Sequence, residues 1–466
     1  MEKQVVLKDI VYPKYECPVV PAPPTLEELD NRLQHLRKKM IERGLSHLVV
    51  YGDREHFANL MYLVHFDPRF EEALLVVSLD KETSLLLVGN EGEGHLGISP
   101  LIQNGKLRYE CFQTFSLMNQ PRETSRQLKE ILQEEGVSHY AKVGLVGWKY
   151  FMPGEVDDPL HTTDVPSYLT DILRSLASSG SVVNATDLLI APSYGMRSNL
   201  SPYEIAWFEY ANVLGSEAIK RILMRLKVGM TDFEAMQATR YTGFPLSCYM
   251  SIKSSGNQHY GLSSPTGDKI CLGQPCSISI AHWGSNICRA GWIAADERDL
   301  PQAAKAYVPA FAAPYFLALR EWIRNLKIGV SGGYLYQLIM DMLPFEQFKV
   351  YLNPGHLIHF DEWTTSPIYK NSKEFIASGM YLQSDIIPRS SVFGSSRMED
   401  GFVIADECLQ KKLLQFYPAV YTRCMQRRCF MEKLGFELPE EVLPLSNIAG
   451  IVVPFFLRSQ CVLSFV

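Results

Sequence analysis

Ser285-Asn286-Ile287-Cys288-Arg289-Ala290 lies in a region of short strands and turns, about 240–300, and its reading carries the fold. It belongs to a series of polar patches. Ser255-Gly256-Asn257-Gln258-His259 precedes it, Pro354-Gly355-His356-Leu357-Ile358-His359 follows, and two acidic strand ends come last: Ser384-Asp385, and Arg397-Met398-Glu399-Asp400. Histidines and carboxylates brought together by strands can move protons near neutrality or hold a divalent cation. Each patch alone is a weak signal, because a single histidine is more often a hydrogen-bonded structural residue.

Working outward, Ser201-Pro202-Tyr203-Glu204 places Ser at the N-cap, Pro at the first helical position and Glu at the third. That helix runs towards Leu226, and Val228-Gly229-Met230-Thr231-Asp232 ends it and caps the next. Ala191-Pro192-Ser193-Tyr194-Gly195 reads as a linker. Before it, strand-like runs at Ser46–Tyr51, Ala73–Ser78, Ser84–Val88 and Val143–Val146 alternate with helical stretches. Thr25-Leu26-Glu27-Glu28 opens the first of these, striped by Leu33, Leu36, Met40 and Leu45, and a further helix is expected around Glu123–Glu135. Downstream, helical segments at 303–325 and 331–343 precede strand-like runs at 380–387 and 400–405. The reading is a Pro-rich lead-in (1–25), an α/β domain (26–194), a second α/β (α+β) domain (195–407) and an extension (408–466). The apolar run Ile448–Leu457 of that extension is expected to pack on a neighbouring surface or another subunit.

Composition excludes several classes. The 466 residues are 47% hydrophobic and 21% charged, with a net charge of −6, so neither a disordered chain nor a nucleic-acid binder is expected. No apolar stretch reaches the roughly 20 residues of a membrane span, and no signal-peptide pattern opens the chain, so the expectation is cytoplasmic and not membrane-bound. Ten cysteines without a CxxC or Cys/His pattern read as reduced and mostly buried. Gly92-Glu93-Gly94-His95-Leu96-Gly97 matches a dinucleotide fingerprint in letters only. Ile98-Ser99-Pro100 follows where an amphipathic helix should start, so the run reads as a turn.

The order of the second-half motifs resembles the pita-bread family of aminopeptidase P, prolidase, methionine aminopeptidase and creatinase. Arg54–Val77, with Phe57-Ala58-Asn59-Leu60-Met61-Tyr62-Leu63, resembles the creatinase-type N-terminal domain of that family. The resemblance implies a creatinase-type α/β domain followed by a pita-bread domain. In metal-dependent members it also implies five ligands for two divalent ions: two Asp, one His and two Glu. Carried onto this chain, His356 and Glu399 match, Asp385 replaces the first Glu, Asn286 replaces the second Asp and Ser279 the first. No Asp or Glu occurs between Asp268 and Asp296, so no small shift of alignment restores the pair. Neutral Ser and Asn cannot offset a second divalent charge in a partly buried site.

The resemblance therefore implies a creatinase-like hydrolase, working without metal on a C–N bond of a small amino-acid-derived or amidine-like molecule. Its catalytic candidates are His259, His356, Asp385 and Glu399, with Arg289, His359, Glu362 and Asn286 binding substrate. No cofactor is expected, although one divalent ion on His356, Asp385 and Glu399 stays open. Two alternatives also stay open: a metal-dependent Xaa-Pro aminopeptidase or prolidase, and an inactive binding protein. Partners implied are a small-molecule substrate and a second copy of the chain as a homodimer.

Overall fold

The computed structural model describes residues 4–254 and 263–466. The chain divides into two compact units, one spanning Ala22–Arg197 and the other combining the lead-in up to Pro21 with Ser198–Val466. The lead-in contributes β1 (Val5–Asp9).

The Ala22–Arg197 unit holds a six-stranded mixed sheet of β2 (His47–Gly52), β3 (Ala73–Ser78), β4 (Ser84–Val88), β5 (Leu107–Cys111), β6 (Val143–Val146) and β7 (Val182–Asn184). Their order is β5-β4-β3-β2-β6-β7, with β3 antiparallel to β2 and β4, and the remaining pairs parallel. Every residue of β2, β3, β4 and β6 is buried, which is why these strands read as continuous apolar runs. Helix Leu26–Glu42 starts where the Thr25 hydroxyl accepts the Glu28 N–H at 3.1 Å, and it buries Leu29, Leu33, Leu36 and Met40.

The helix expected around Glu123–Glu135 is shorter, Leu128–Glu134. Side chains capture the preceding backbone instead. Gln113 Oε1 accepts the N–H groups of Thr124 and Ser125, and the Arg122 guanidinium donates to the carbonyls of Gln113, Thr114, Ser116 and Leu117. At the Gly92–Gly97 run, the Glu71 carboxylate already accepts the N–H groups of Glu91 and Gly92, so those amides hold a side chain and offer no phosphate cradle.

The second unit is antiparallel. One sheet is formed by β8 (Ser251–Ser254), β9 (Pro275–His282), β10 (Ser285–Trp292) and, beyond β11 (His356–Leu357) and β12 (Tyr381–Gln383) in sequence, β13 (Arg397–Glu399), in the order β13-β10-β9-β8. The other runs β11-β12-β14-β15, with β14 at Gly401–Ile404 and β15 at Val442–Pro444. Only Asp400 separates β13 from β14, so the chain passes directly between the sheets there.

Helix Pro202–Arg225 begins with the Ser201/Glu204 capping box and packs its buried face on β9 and β10. Helices Ala313–Arg324 and Gly332–Met342 occupy the segments read as helical, the first preceded by a π-helical turn at Val308–Ala312. Residues 408–466 lie in this same unit. Val442–Pro444 forms the sheet edge, Ile448, Ile451, Val452, Val453, Phe455 and Phe456 join the core, and β16 (Cys461–Phe465) pairs with β1.

Candidate active site

Strand alternation decides what reaches the site. In β9 and β10, Ile278, Ile280 and Ile287 enter the helix-packed core, while Ser277, Ser279, Asn286 and Ala290 line a cavity of about 250 Å³. Cross-strand pairing of Cys288 with Glu399 and of Ala290 with Arg397 places both β13 side chains on that cavity side. His356 arrives from β11 opposite Gln383, and Asp385 follows two residues later on the same face.

The result is a ring of carboxylates around one nitrogen. His356 is fully buried, and its Nδ1–H donates to the Leu357 carbonyl at 3.1 Å, leaving the lone pair on Nε2. Nε2 has no hydrogen-bond partner among the described residues, yet it faces Glu362 Oε1 at 3.9 Å, Asp385 Oδ2 at 3.8 Å and Glu399 Oε1 at 3.8 Å. Trp363 stacks on the imidazole with centroids 4.0 Å apart and 15° between planes. The Arg397 guanidinium takes the outward oxygens, Asp385 Oδ1 and Glu399 Oε2, and so turns the other oxygen of each towards the histidine. Burial pushes Glu399 up to about 7 against the pull of Arg397, with the Asp385 charge adding to the rise. Burial also opposes charge on His356, but Glu399, Glu362 and Asp385 outweigh it and raise the imidazole pKa.

The two neutral replacements are hydrogen-bonded into the same cluster. Ser279 Oγ donates to Asn286 Oδ1 at 2.7 Å, and Asn286 Nδ2 donates to Glu362 Oε1 at 2.9 Å and Glu399 Oε1 at 3.0 Å.

Of the residues singled out from sequence, His356, Asp385, Glu399, Asn286 and Glu362 come together here. Arg289 does not. It lies three residues from Asn286 and points to the opposite face, fully buried, with Asp400 and the Ile448 and Ile451 carbonyls as partners. His359 is also absent from the cavity wall. It is fully buried, its Nε2 lies 2.9 Å from Glu204 Oε1, and its ring meets Phe208 edge-on, so it packs the sheet to helix Pro202–Arg225. His259 lies outside the described residues. Sequence reasoning missed Arg397 and Trp363. The Arg-x-Glu spacing in β13 signals the first, since residues two apart on a strand share a face.

No protein-family model matches the sequence, and no curated protein matches it. Solved structures do. A prolidase from Thermococcus sibiricus superposes with a TM-score of 0.63 at 13% identity, covering 91% of this chain and 98% of its own. A prolidase from Pyrococcus horikoshii OT3 gives 0.60 at 14%, covering 80% and 95%, and an Xaa-Pro dipeptidase from Bacillus anthracis gives 0.60 at 13%, covering 81% and 96%. This chain has the pita-bread fold. At these identities the likeness establishes the architecture, and the chemistry has to come from the side chains.

The pita-bread site fits one divalent cation. Donor atoms about 2.1 Å from a common ion at angles of about 110–130° lie roughly 3.4–3.8 Å apart, close to the spacing of Nε2 from its three carboxylate oxygens. One ligand atom each from His356, Glu362 and Glu399 all fall within 4.8 Å of one another. The expectation of no cofactor is therefore revised, because the side chains of His356, Glu362 and Glu399 are grouped so that they could hold a metal ion. A second ion does not fit: Ser279 and Asn286 bring no charge, and Ser279 Oγ and Asn286 Oδ1 are already hydrogen-bonded to each other. Among the described residues no helix is long and apolar enough to cross a membrane.

Proposed function

We propose that the protein hydrolyses an amide C–N bond in a small peptide-like substrate of the Xaa-Pro type, with one divalent cation held by His356, Glu362 and Glu399, and Asp385 beside them. The observation that carries this reading is the buried, unpartnered Nε2 of His356 facing three carboxylate oxygens at 3.8–3.9 Å. The names of the structures sharing the fold, prolidase and Xaa-Pro dipeptidase, support the substrate class. This reading takes precedence over the metal-independent creatinase-like hydrolase favoured by the sequence.

The bound ion would supply Lewis-acid polarisation of a substrate carbonyl. The remaining work falls to the chain. The Leu357 carbonyl holds His356 in the tautomer whose Nε2 is basic, and Arg397 orients Asp385 and Glu399. Glu362, the most exposed of the three carboxylates, is placed to accept a proton from an attacking water at the cavity wall and to return it to the leaving nitrogen as the C–N bond breaks. Trp363 covers one face of the imidazole and keeps water off it.

A second reading, acid–base chemistry without metal, is favoured by the raised pKa of His356, which lets an imidazolium take the cation's place. Metal analysis after loading and desalting separates them. The first reading expects about one equivalent of divalent transition metal per chain, with Ala-Pro hydrolysis abolished by chelation and by His356→Ala. Metal-free protein that turns over a guanidino or ureido compound despite chelator establishes the second. Absence of both metal and turnover identifies a binding protein. The homodimer implied by the family resemblance is checked by sedimentation.

A further inference from the structure

Away from the His356 cluster, a notch of about 30 Å³ lies between helix Pro202–Arg225, the turn at 239–242 and the His282 end of β9. Its lining is one-sided in charge. Arg221, Arg240 and His282 stand on it with the hydroxyl-bearing Thr239, Tyr241 and Thr242, and among the described residues no Asp or Glu lines it.

Strand alternation brings the histidine here. His282 follows Ile278 and Ile280 at period two, so it faces the helix and lies on the opposite side of β9 from Ser279. It is 4% exposed, and its Nδ1 has no hydrogen-bond partner among the described residues. Burial lowers its pKa against the nearby Pro245 and Phe244 carbonyls. Tyr241 stacks on the ring with centroids 6.1 Å apart and 21° between planes, and Phe244 meets it edge-on at 5.6 Å, so the imidazole is held in place.

Arg221 is fixed as well. Its Nε donates to the Ala238 carbonyl at 3.2 Å and its Nη2 to the Thr239 carbonyl at 2.6 Å, which leaves Nη1 without a hydrogen bond among the described residues. Burial lowers the Arg221 pKa, Glu217 opposes that, and the charges of Arg240 and Arg225 lower it further, so like charges converge on this turn. The same turn holds Arg240 at φ 54°, a left-handed conformation that disfavours non-glycine residues, while the Tyr241 N–H donates to Thr239 Oγ1 at 3.2 Å. Converging cations beside a buried nitrogen without a partner form a setting that an anion completes. The volume admits a group of a few atoms and excludes a whole metabolite.

We propose that this notch binds a phosphoryl oxyanion between Arg221 and His282, with Arg240 adding positive charge at its mouth. The inference is independent of the reaction assigned to the His356 cluster.

The test is calorimetry on the full chain at constant ionic strength, with inorganic phosphate and methyl phosphate as probes. Saturable binding of phosphate is expected. Arg221→Gln, whose amide can still donate to one of the turn carbonyls, should weaken it about tenfold. Arg240→Ser, at an exposed position, should weaken it about threefold. His356→Ala should leave it unchanged. Methyl phosphate binding as well as phosphate supports the inference and makes the ligand the phosphoryl end of a larger molecule; weaker binding of methyl phosphate also supports it and makes the ligand the free ion. Absence of saturable binding by either probe overturns the inference, as does an affinity unchanged in both arginine variants. Loss of binding in His356→Ala overturns it too, because the anion then sits at the carboxylate cluster. If Arg221→Gln does not fold, Arg240→Ser decides alone.

Discussion

Arg289 gives the sharpest test of how the site was assigned. Its five donors are all engaged: Nε with Ile451 O, Nη1 with Cys288 O and Glu399 O, and Nη2 with Asp400 Oδ2 and Ile448 O, at 2.7–3.3 Å. Both members of the Arg289–Asp400 pair are fully buried, so solvent does not screen it. Arg289→Met keeps most of the stem but leaves the Asp400 carboxylate buried without its counter-charge. Breaking a buried pair from one side costs about 3–5 kcal/mol. Burial raises the Asp400 pKa in spite of Arg289, so the pair does not recover the full cost of its own desolvation. The double variant Arg289→Met, Asp400→Leu is therefore expected to regain part of the loss, the remainder being the Ile448 and Ile451 carbonyls left without their donor. Urea titration followed by tryptophan fluorescence reads both, and calorimetry with Ala-Pro reads ligand affinity in the folded variant. A loss of stability below about 1 kcal/mol, the range of an exposed pair, combined with loss of ligand affinity, would refute the structural assignment and return Arg289 to the substrate.

Glu209 is held below the usual carboxylate range. Burial works to raise it, but the guanidinium groups of Arg427 and Arg423 outweigh that. Its contribution is thus fully present above the unfolded value of about 4.3 and is lost as pH falls through the lower folded value; Glu209→Gln should remove that acid-side slope from the stability profile. Burial pushes the Cys288 thiol up to about 11 and Cys424 up to about 12. A brief native treatment with iodoacetamide should therefore modify the exposed Cys17, Cys271, Cys408 and Cys429 and spare Cys276, Cys288 and Cys424, as read by peptide mass spectrometry. Gly284 has φ +85°, and an added Cβ would lie 1.9 Å from Phe208 Cδ1, so Gly284→Ala should cost about 2–4 kcal/mol in urea titration; a loss within 0.5 kcal/mol, about what a neutral surface change shows, would contradict the turn geometry.

Much of the fold was legible because its signals are local. The Ser201/Glu204 box and the Thr25 cap declare helix starts within four residues, and the apolar runs of β2, β3, β4 and β6 declare strands buried on both faces. The Glu123–Glu135 segment shows the limit of that reasoning. Its first residues are polar enough for a helix, but Gln113 Oε1 accepts the N–H groups of Thr124 and Ser125. The site was partly legible for the same reason. Asp385 and Glu399 stand at recognisable strand ends and His356 in the Pro354–His359 patch, while Arg289 and His359 neighbour the site in sequence only. Period-two alternation separates Asn286 from Arg289, and that correction was available in the sequence. The Glu204 partner of His359 was not, since it comes from a helix 155 residues away.

The inventory of charge belongs to the amino-acid order alone. With no acid between Asp268 and Asp296, no arrangement of β9 and β10 can supply the two ligands that a second divalent ion needs. The meaning of the remaining charges belongs to three-dimensional packing. Distances of 3.8–3.9 Å around His356 Nε2 and the capture of two carboxylates by Arg397 arise from strands and loops scattered between residues 285 and 399. Electrostatic energy depends on separation and on burial, and both are properties of the folded chain that no local pattern encodes.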